Sequence, residues 1–363
     1  MKKIIFFTNS SWNLLNFRIN LINFLKKKNC KIVLCCPKDE YYDKILNLGF
    51  ECYDISFSKN KITLFQNFLT FIKVFKLIKR TNPDFLISFT IKPNLFSSIS
   101  LFFPNTKNIL NITGLGTMYF KSKIIKYLYI FFYKIIIKIS NYTIFQNEND
   151  KFLLSYGRED KYILSPGSGI DLNYFRFKKK EITKNISFLF IGRLLKEKGL
   201  LELLKAADKI KKNHKDINFN VIGELDIKNP SSISEKILKF YINNQVINYS
   251  KFTNDVRSSI EKADCVILPS YREGASRVLL ESGAMGRPCI ASNVPGCNNI
   301  IIDNFNGFLC EPKNTESLLQ SITKFIKLSN IEINKMSINA RSHVEKNFDE
   351  NIIFKQYLNI INE

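Results

Sequence analysis

The sequence predicts an α/β protein built from two doubly wound parallel sheets. Short apolar segments typical of buried strands alternate with longer segments of helical periodicity, and this alternation occurs twice along the chain. The chain has 363 residues, which is more than one typical core needs and enough for two domains to bury a core each. No repeat of solenoid period is present, so two similar doubly wound domains are expected.

The candidate strands fall into two series separated by a linker. The first series covers residues 3–8, 31–36, 51–55, 84–89, 108–112, 142–145 and 161–164. The second covers residues 186–191, 218–222, 245–248, 264–268 and 289–292. Residues 165–171 are rich in Ser, Gly and Pro, and a basic, irregular stretch follows at 176–185, so the linker is expected there.

Cysteine usage and composition exclude several classes of protein. Eight Cys occur without a Cys-x-x-Cys pair, and only two His are present to complete a metal site. Reduced structural thiols in a cytoplasmic protein are therefore expected. The short apolar start of the chain is interrupted by polar residues and is expected to be the first strand rather than a signal peptide.

The net charge of +22 indicates attraction to a polyanion, which can be nucleic acid, an anionic bilayer or a phosphorylated substrate. Part of the excess follows from a general enrichment in Lys, Ile, Asn and Phe. No uninterrupted apolar run of about 18 residues exists, so a membrane-spanning helix is not expected. Residues 64–80 and 121–139 are apolar stretches punctuated by lysines, which fit either helices at a bilayer interface or ordinary crossover helices on a sheet.

The segment 270–288 places two carboxylates around a helix start. An apolar strand ends at Pro269, Glu273 lies in the following loop, and Glu281 lies inside the next helix. Ser276 is the candidate N-cap, and the backbone N–H groups of Gly274, Ala275 and Ser276 are expected to face an anion. A diphosphate would fit between the two carboxylates.

A second candidate anion site follows the strand that ends at Ile191. Gly192 and Arg193 come first, and Lys198 precedes an amphipathic helix. The Arg guanidinium and the Lys ammonium suit a diphosphate whose charge grows as it departs.

These two segments together closely resemble the signature of family-four retaining glycosyltransferases with the GT-B fold. The resemblance implies two Rossmann-like domains facing across a cleft. It also implies that Glu273 holds hydroxyls of the transferred sugar, that Glu281 holds the nucleotide ribose, and that Arg193 and Lys198 bind the diphosphate. The expected ranges are an acceptor-binding domain at 1–165, a nucleotide-sugar-binding domain at 166–347, and a helix at 348–363 that returns to the first domain. Residues 295–297 and 306–308 also match family positions, although both contain ordinary turn sequences.

The first half of the chain resembles a bacterial branch of the family that extends sugars on undecaprenyl diphosphate, including N-acetylgalactosaminyltransferases of N-glycan assembly. The matching segments are residues 13–18, 88–94 and 111–116. The candidate acceptor-binding residues are Arg18, Lys92, Asn94, Thr113, Gly114 and Gly116. Lys121 and Lys123 are expected to guide the acceptor from the membrane. Lys92 can alternatively be a solvated residue at a strand end. Many family members place a His near residues 90–92, whereas here His214 and His343 lie in the second half.

The expected reaction is a retaining transfer of an N-acetylhexosamine from a UDP-sugar to an undecaprenyl-diphosphate-linked saccharide. The protein would lie peripherally on the cytoplasmic face of the anionic membrane. No Asp-x-Asp triplet occurs, so neither a divalent metal nor another cofactor is expected. One alternative keeps the chemistry with a lipopolysaccharide or capsule acceptor. Another is a nucleic-acid-binding protein, motivated by the charge and by 32 Phe with 15 Tyr, but the lysines are dispersed and no nucleic-acid partner is expected.

Overall fold

A computed structural model describes residues 1–57, 64–115, 122–155, 157, 159–180, 185–226 and 229–363. The chain forms two compact units. The first consists of residues 1–168 together with 350–363, and the second consists of residues 169–349.

The first unit contains a seven-stranded sheet in the order β3-β2-β1-β4-β5-β6-β7, with every neighbouring pair parallel. Its strands are β1 (Lys3–Phe7), β2 (Lys31–Cys36), β3 (Glu51–Asp54), β4 (Phe85–Phe89), β5 (Lys107–Ile112), β6 (Tyr142–Phe145) and β7 (Tyr162–Leu164). The helices that follow these strands are α1 (Ser11–Phe17), α2 (Ile19–Lys27), α3 (Tyr42–Leu46), α4 (Leu64–Thr81), α5 (Ile91–Ser97), α6 (Lys123–Ile139) and α7 (Glu148–Leu154). The strand order reverses between β1 and β4, which makes the sheet doubly wound.

The second unit contains a six-stranded parallel sheet in the order β10-β9-β8-β11-β12-β13. Its strands are β8 (Ser187–Ile191), β9 (Asn218–Ile222), β10 (Asn248–Ser250), β11 (Cys265–Leu268), β12 (Cys289–Ser292) and β13 (Gly307–Cys310). Its helices are α8 (Leu200–Asn213), α9 (Glu235–Asn243), α10 (Arg257–Lys262), α11 (Arg277–Ala284), α12 (Thr315–Ile326) and α13 (Asn330–Phe348), after which α14 (Glu350–Asn362) packs in the first unit. Both sheets confirm the predicted doubly wound class.

Helices cover both faces of the first sheet because its strands are buried on both sides. In β1, Ile4 and Phe6 pack with α2, α3 and α14, whereas Ile5 and Phe7 point to the opposite face and pack with α4. Farther along that same face, Leu110 and Ile112 of β5 pack with α6 and α7. Helices α4 to α7 therefore share one face of the sheet.

Two strands of the second unit differ from the prediction. The strand expected at 245–248 begins only at Asn248, because Gln245 has a φ of 54° that belongs to the turn after α9. Strand β13 replaces the turn expected around Gly307. A Cβ on Gly307 would lie 2.0 Å from the carbonyl oxygen of Cys289, so the glycine serves the close approach of β13 to β12.

Phe188 lies at the centre of the second sheet, and we expect its packing to contribute strongly to the stability of the protein. Its ring stacks on Phe219 at 5.2 Å and meets the edge of Phe325 at 5.6 Å. We expect Phe188→Ala to lower the free energy of unfolding by about 3–5 kcal/mol, since a cavity remains in a core that relaxes only in part. Urea unfolding measures the loss. Phe240→Ala, which removes an exposed ring, is the matched control and should change stability by no more than about 0.5 kcal/mol. Equal losses in the two variants would contradict the central packing role of Phe188.

Candidate active site

Two loops of the second unit leave neighbouring strands at the point where the strand order reverses. Gly192 follows β8, and Pro269 follows β11, which is the next strand in the sheet. The carboxyl ends of parallel strands lie at one edge, and a reversal of strand order opens a crevice between the loops there. The segments 192–199 and 269–276, which the sequence singled out separately, are thus adjacent.

Main-chain contacts join these two loops. The carbonyl oxygen of Glu197 accepts hydrogen bonds from the backbone N–H of Tyr271 at 2.8 Å and from the hydroxyl of Ser270 at 3.1 Å. Gly199 has a φ of +70°, and a Cβ at this residue would lie 1.9 Å from the carbonyl oxygen of Pro269. Only glycine fits this position, because the backbone conformation and the close approach both exclude a side chain.

The contact between the loops brings Lys198 to Glu273. The Lys198 Nζ lies 2.5 Å from the Glu273 Oε1, and the two side chains are only 23% and 14% exposed. An ion pair sheltered in this way is held more strongly than one on the surface. Arg193 lies nearby in sequence at the end of β8 and is exposed, and within the described ranges it forms no ion pair. The arrangement offers two cations and one carboxylate at the edge of the sheet.

A third loop, which follows β12, fixes the backbone around Glu273. The N–H of Glu273 donates to the carbonyl of Pro295 at 3.1 Å, and the N–H of Ser276 donates to the carbonyl of Gly296 at 2.9 Å. A Cβ on Gly296 would lie 2.5 Å from the carbonyl oxygen of Gly274. The expectation that the Ser276 N–H faces an anion is therefore wrong, because that N–H is bonded to protein. Ser276 does occupy the N-cap position of α11, but its side chain makes no capping hydrogen bond.

Glu281 lies one turn into α11 and is buried beside a cation. Its Oε1 accepts from the Nε of Arg277 at 2.9 Å. Burial raises the pKa of Glu281, and the charge and hydrogen bond of Arg277 offset that rise in part. Sequence reasoning missed Arg277, although its spacing of four residues from Glu281 on one helix is the ordinary signal for such a pair.

The acceptor-side residues of the first unit lie at the ends of β4 and β5. Thr90 precedes α5 with a φ of 73°, an unusual conformation for a β-branched residue, and its buried hydroxyl forms no hydrogen bond with any residue that the structure describes. Lys92 is half-buried, and desolvation lowers its pKa. Thr113 and Gly114 are half-buried after β5. Gly116 and Lys121 lie outside the described residues.

Asn94 has an internal role that replaces the expected acceptor contact. It is wholly buried; its Oδ1 accepts from the hydroxyl of Ser88 at 2.8 Å, and its Nδ2 donates to the carbonyl of Asn111 at 2.9 Å and to the hydroxyl of Tyr133 at 3.2 Å. Both amide hydrogens and one of the two acceptor sites of the oxygen are thereby used by protein groups. Asn94 positions the loop after β4 and cannot contact a ligand in this conformation.

Arg18 is also buried, with only 4% of its surface exposed. A residue that binds the acceptor would be open to solvent, so the expected acceptor contact of Arg18 is not supported. Its guanidinium lies 4.1 Å from the centroid of the Phe89 ring, within the range of a cation–π contact. The hydroxyl of Tyr357 in α14 donates to the side chain of Asn111. Burial raises the pKa of Tyr357, and the positive charge of Arg18 lowers it in part. Arg18 thus supports the strand ends from inside the first unit.

Two family models match the chain in succession. Residues 3–147 match "Glycosyl transferase 4-like", and residues 173–343 match "Glycosyl transferases group 1". The chain belongs to the family-four GT-B glycosyltransferases. The Rossmann-like fold of each unit and the strand-end position of the segments 192–199 and 269–276 agree with this assignment.

Similar proteins include enzymes of bacterial glycan assembly. This glycosyltransferase is 27% identical, over 99% of its chain and 98% of the relative, to the N,N'-diacetylbacillosaminyl-diphospho-undecaprenol alpha-1,3-N-acetylgalactosaminyltransferase of Campylobacter jejuni. It is 24% identical, over 92% of its chain and 89% of the relative, to the UDP-Gal:alpha-D-GlcNAc-diphosphoundecaprenol alpha-1,3-galactosyltransferase of Escherichia coli. Both relatives act on saccharides linked to a lipid diphosphate.

A solved structure supports the fold. The Anabaena protein Alr3699/HepE in complex with UDP superposes with a TM-score of 0.79 at 17% identity, covering 100% of both chains. The predicted GT-B fold class is thereby confirmed.

The crowding at Gly199 predicts an effect on stability beyond backbone strain. Gly49 has nearly the same φ, +74°, but a Cβ there would meet no atom of the described part of the chain within 4 Å, so it is a matched control. We expect Gly49→Ala to cost about 1–2 kcal/mol from the left-handed backbone alone. Gly199→Ala should cost about 1–3 kcal/mol more, because the loop after β11 must move. Urea unfolding of both variants checks this, and indistinguishable costs would show that the close approach is easily relieved.

Proposed function

We propose that this glycosyltransferase moves an N-acetylhexosamine from a UDP-sugar to an undecaprenyl-diphosphate-linked saccharide, with retention of configuration and without a divalent metal. The observation that carries the proposal is the sheltered Lys198–Glu273 pair held between two strand-end loops at the reversal of strand order. The relatives' lipid-diphosphate acceptors and the UDP in the Anabaena complex support the choice of substrates. We also propose that the reaction takes place at the cytoplasmic face of the membrane, because the relatives' acceptors are linked to a lipid.

The proposed donor site uses the cations for the diphosphate and the carboxylates for hydroxyl groups. Lys198 leaves Glu273 and binds the β-phosphate of the donor, and Arg193 binds the same phosphate from its exposed loop. Glu273, released from the lysine, accepts hydrogen bonds from hydroxyls of the sugar. Glu281 accepts from the ribose hydroxyls, while Gly192, Gly274 and Ala275 let the backbone approach the donor closely.

In the proposed reaction the bond between the anomeric carbon and the diphosphate oxygen breaks as the acceptor hydroxyl oxygen bonds to that carbon on the same face. The acceptor proton passes to an oxygen of the departing diphosphate, so no protein nucleophile is needed. Lys198 and Arg193 balance the charge that grows on the diphosphate. This role makes a metal unnecessary, and it is the reason for proposing independence from divalent ions.

The proposed acceptor site lies at the ends of β4 and β5. Lys92 is its main cation, because a partly desolvated ammonium gains more from a phosphate than a fully hydrated one. Thr113 and Gly114 border the same strand ends, and Gly116 completes the proposed set. Arg18 and Asn94 act indirectly, by holding β4 and β5 in place.

The reaction is tested by nucleoside diphosphate release from a panel of nucleotide sugars, with prenyl-diphosphate-linked, lipopolysaccharide and capsule acceptors. We expect release from one UDP-N-acetylhexosamine only when the prenyl-linked acceptor is present, with the α configuration kept and no effect of chelator. Glu273→Gln should lower turnover about 10²–10³-fold, as expected when one charged contact to the transition state is removed. Glu316→Gln, which changes an exposed carboxylate, is the control. Dependence on Mg²⁺ or Mn²⁺, or full turnover by Glu273→Gln, would contradict the proposal.

The buried position of Glu281 predicts that nucleoside binding depends on pH. Burial raises its pKa, so the carboxylate becomes protonated at a higher pH than an exposed Glu would. A protonated carboxyl accepts ribose hydroxyls less well, and we expect the affinity for uridine to fall as pH is lowered through this raised pKa. Calorimetry with uridine avoids the titration of phosphate groups. Glu281→Gln should bind weakly at every pH, and a wild-type affinity that stays constant would exclude the ribose role.

A further inference from the structure

Helix α6 in the first unit exposes an apolar face that no described part of the chain covers. Its inner face packs on the sheet through Ile130, Tyr133 and Ile137. The exposed apolar residues on the other side are Ile124, Ile125, Leu128, Phe131, Phe132, Ile135 and Ile139. At 3.6 residues per turn they fill a purely apolar arc of about 120°. A helix that is apolar on both sides is normally covered on both.

The apolar surface continues across the neighbouring helices. Helix α4 packs against α5, and α5 packs against α6, all on one face of the sheet. A 3₁₀ turn (Ser98–Phe102) follows α5. The exposed apolar residues contributed by α4, α5 and this 3₁₀ turn are Phe65, Phe68, Leu69, Phe71, Leu95, Leu101 and Phe102. Together with the exposed face of α6 they are called the docking surface below. Its extent over three helices exceeds the scattered exposed side chains of an ordinary protein surface.

The charged residues on the helices of the docking surface all have one sign. Neither α4 nor α6 contains an Asp or a Glu, and α5 and the 3₁₀ turn contain none either. The basic residues of the helices are Lys73, Lys76, Lys79, Arg80, Lys92, Lys123, Lys126, Lys134 and Lys138. On α6, three of them (Lys123, Lys134 and Lys138) border one side of the apolar arc. Long basic side chains at the border of an apolar face suit phosphates above hydrocarbon.

The most apolar part of the docking surface lies near the strand ends that carry the proposed acceptor site. Helix α4 follows the carboxyl end of β3, and helix α6 follows the carboxyl end of β5. The first turns of both helices therefore lie at the carboxyl edge of the sheet. On α4 the exposed aromatic residues occupy the first half and the exposed basic residues the second. Lys92 begins α5 at the same edge. An apolar layer and a partly desolvated cation therefore occur at one edge of one sheet.

We propose that the docking surface inserts into the interface of an anionic lipid bilayer, with the carboxyl edge of the first sheet toward the lipid and Lys92 at the level of the phosphates. A lipid-linked diphosphate would then reach Lys92 without leaving the bilayer; this part rests on the proposed function, whereas the docking itself does not. Among the described residues no helix is long and apolar enough to cross a membrane, so the surface lies on the bilayer and does not span it.

Charge complementarity favours a bilayer over a second copy of the chain. Two copies meeting through this surface would bring their lysines together with no carboxylate from α4, α5 or α6 to balance them. Anionic headgroups supply that balance, and the hydrocarbon below them covers the apolar arc. Binding of this kind weakens with salt and with loss of anionic lipid.

The test compares vesicle binding by the wild type, by Leu128→Gln/Phe132→Gln in the docking surface, and by Phe240→Gln/Ile338→Gln in the second unit. The first pair of side chains is 53% and 56% exposed and the control pair 59% and 61%, so both variants remove similarly exposed apolar groups from helices. Sedimentation with phosphatidylglycerol-containing vesicles is expected to be salt-sensitive and stronger than with phosphatidylcholine alone. The docking variant should bind at least about tenfold more weakly, and the control should bind as the wild type does.

Turnover separates docking from the proposed chemistry. The docking variant should keep wild-type turnover on a short-chain, water-soluble acceptor and lose it on a long-chain acceptor embedded in vesicles. If no acceptor supports turnover, the proposed function fails while vesicle binding still decides the docking. The docking proposal is overturned if the wild type does not bind anionic vesicles or if the control loses as much binding as the docking variant. It is also overturned if the wild type is a dimer that the docking variant disrupts, or if an RNA oligonucleotide binds as tightly as the vesicles and competes with them.

Discussion

The main-chain contact between the Gly192–Gly199 loop and the Pro269–Ser276 loop is the constraint on which the candidate site depends. The carbonyl of Glu197 binds both Tyr271 and Ser270, and Gly199 lets the backbone reach Pro269. This contact sets the separation of Lys198 and Glu273. The loop after β12 fixes Glu273 from the other side through Pro295. Apart from the Ser270 hydroxyl, the groups that make these bonds belong to the backbone. The charged groups are therefore positioned before any ligand arrives, which is the arrangement that electrostatic stabilisation requires.

Two ion pairs lie in the candidate site, and in the proposed mechanism a donor exchanges their partners. Lys198 holds Glu273, and Arg277 holds the buried Glu281. Each carboxylate is thereby kept partly out of water without the full cost of an isolated buried charge. A nucleoside diphosphate sugar brings phosphates for the lysine and hydroxyl groups for the carboxylates, so the proposed binding exchanges partners and leaves no buried charge alone. In the first unit, Asn94 and Arg18 are buried among protein groups, whereas Lys92, the cation of the proposed acceptor site, is half-buried at the strand ends.

The sequence was sufficient for the class of the fold and for the strand-end segments, because apolar alternation and glycine-basic motifs are local signals. It failed where tertiary contacts decide. Gly307 looked like part of a turn, but it pairs with Cys289 of β12 in β13, where a Cβ would lie 2.0 Å from the Cys289 carbonyl oxygen. Asn94 and Arg18 looked like polar ligands for the acceptor, but residues distant in sequence hold them inside the unit, Asn111 in the case of Asn94 and Phe89 in the case of Arg18. The Ser276 N–H was expected to face an anion, but the Gly296 carbonyl, twenty residues away, occupies it.

Comparison of UDP and uridine binding by calorimetry, in the wild type and in Lys198→Met, tests the central claim most directly. The claim is that Lys198 passes from Glu273 to the donor diphosphate. The account predicts that the wild type binds UDP about 10–100-fold more tightly than uridine, since a charge-assisted contact is gained. In Lys198→Met this preference should fall to the part that Arg193 supplies, while uridine affinity stays unchanged. Equal affinities for UDP and uridine in the wild type, or an undiminished preference for UDP in Lys198→Met, would contradict it.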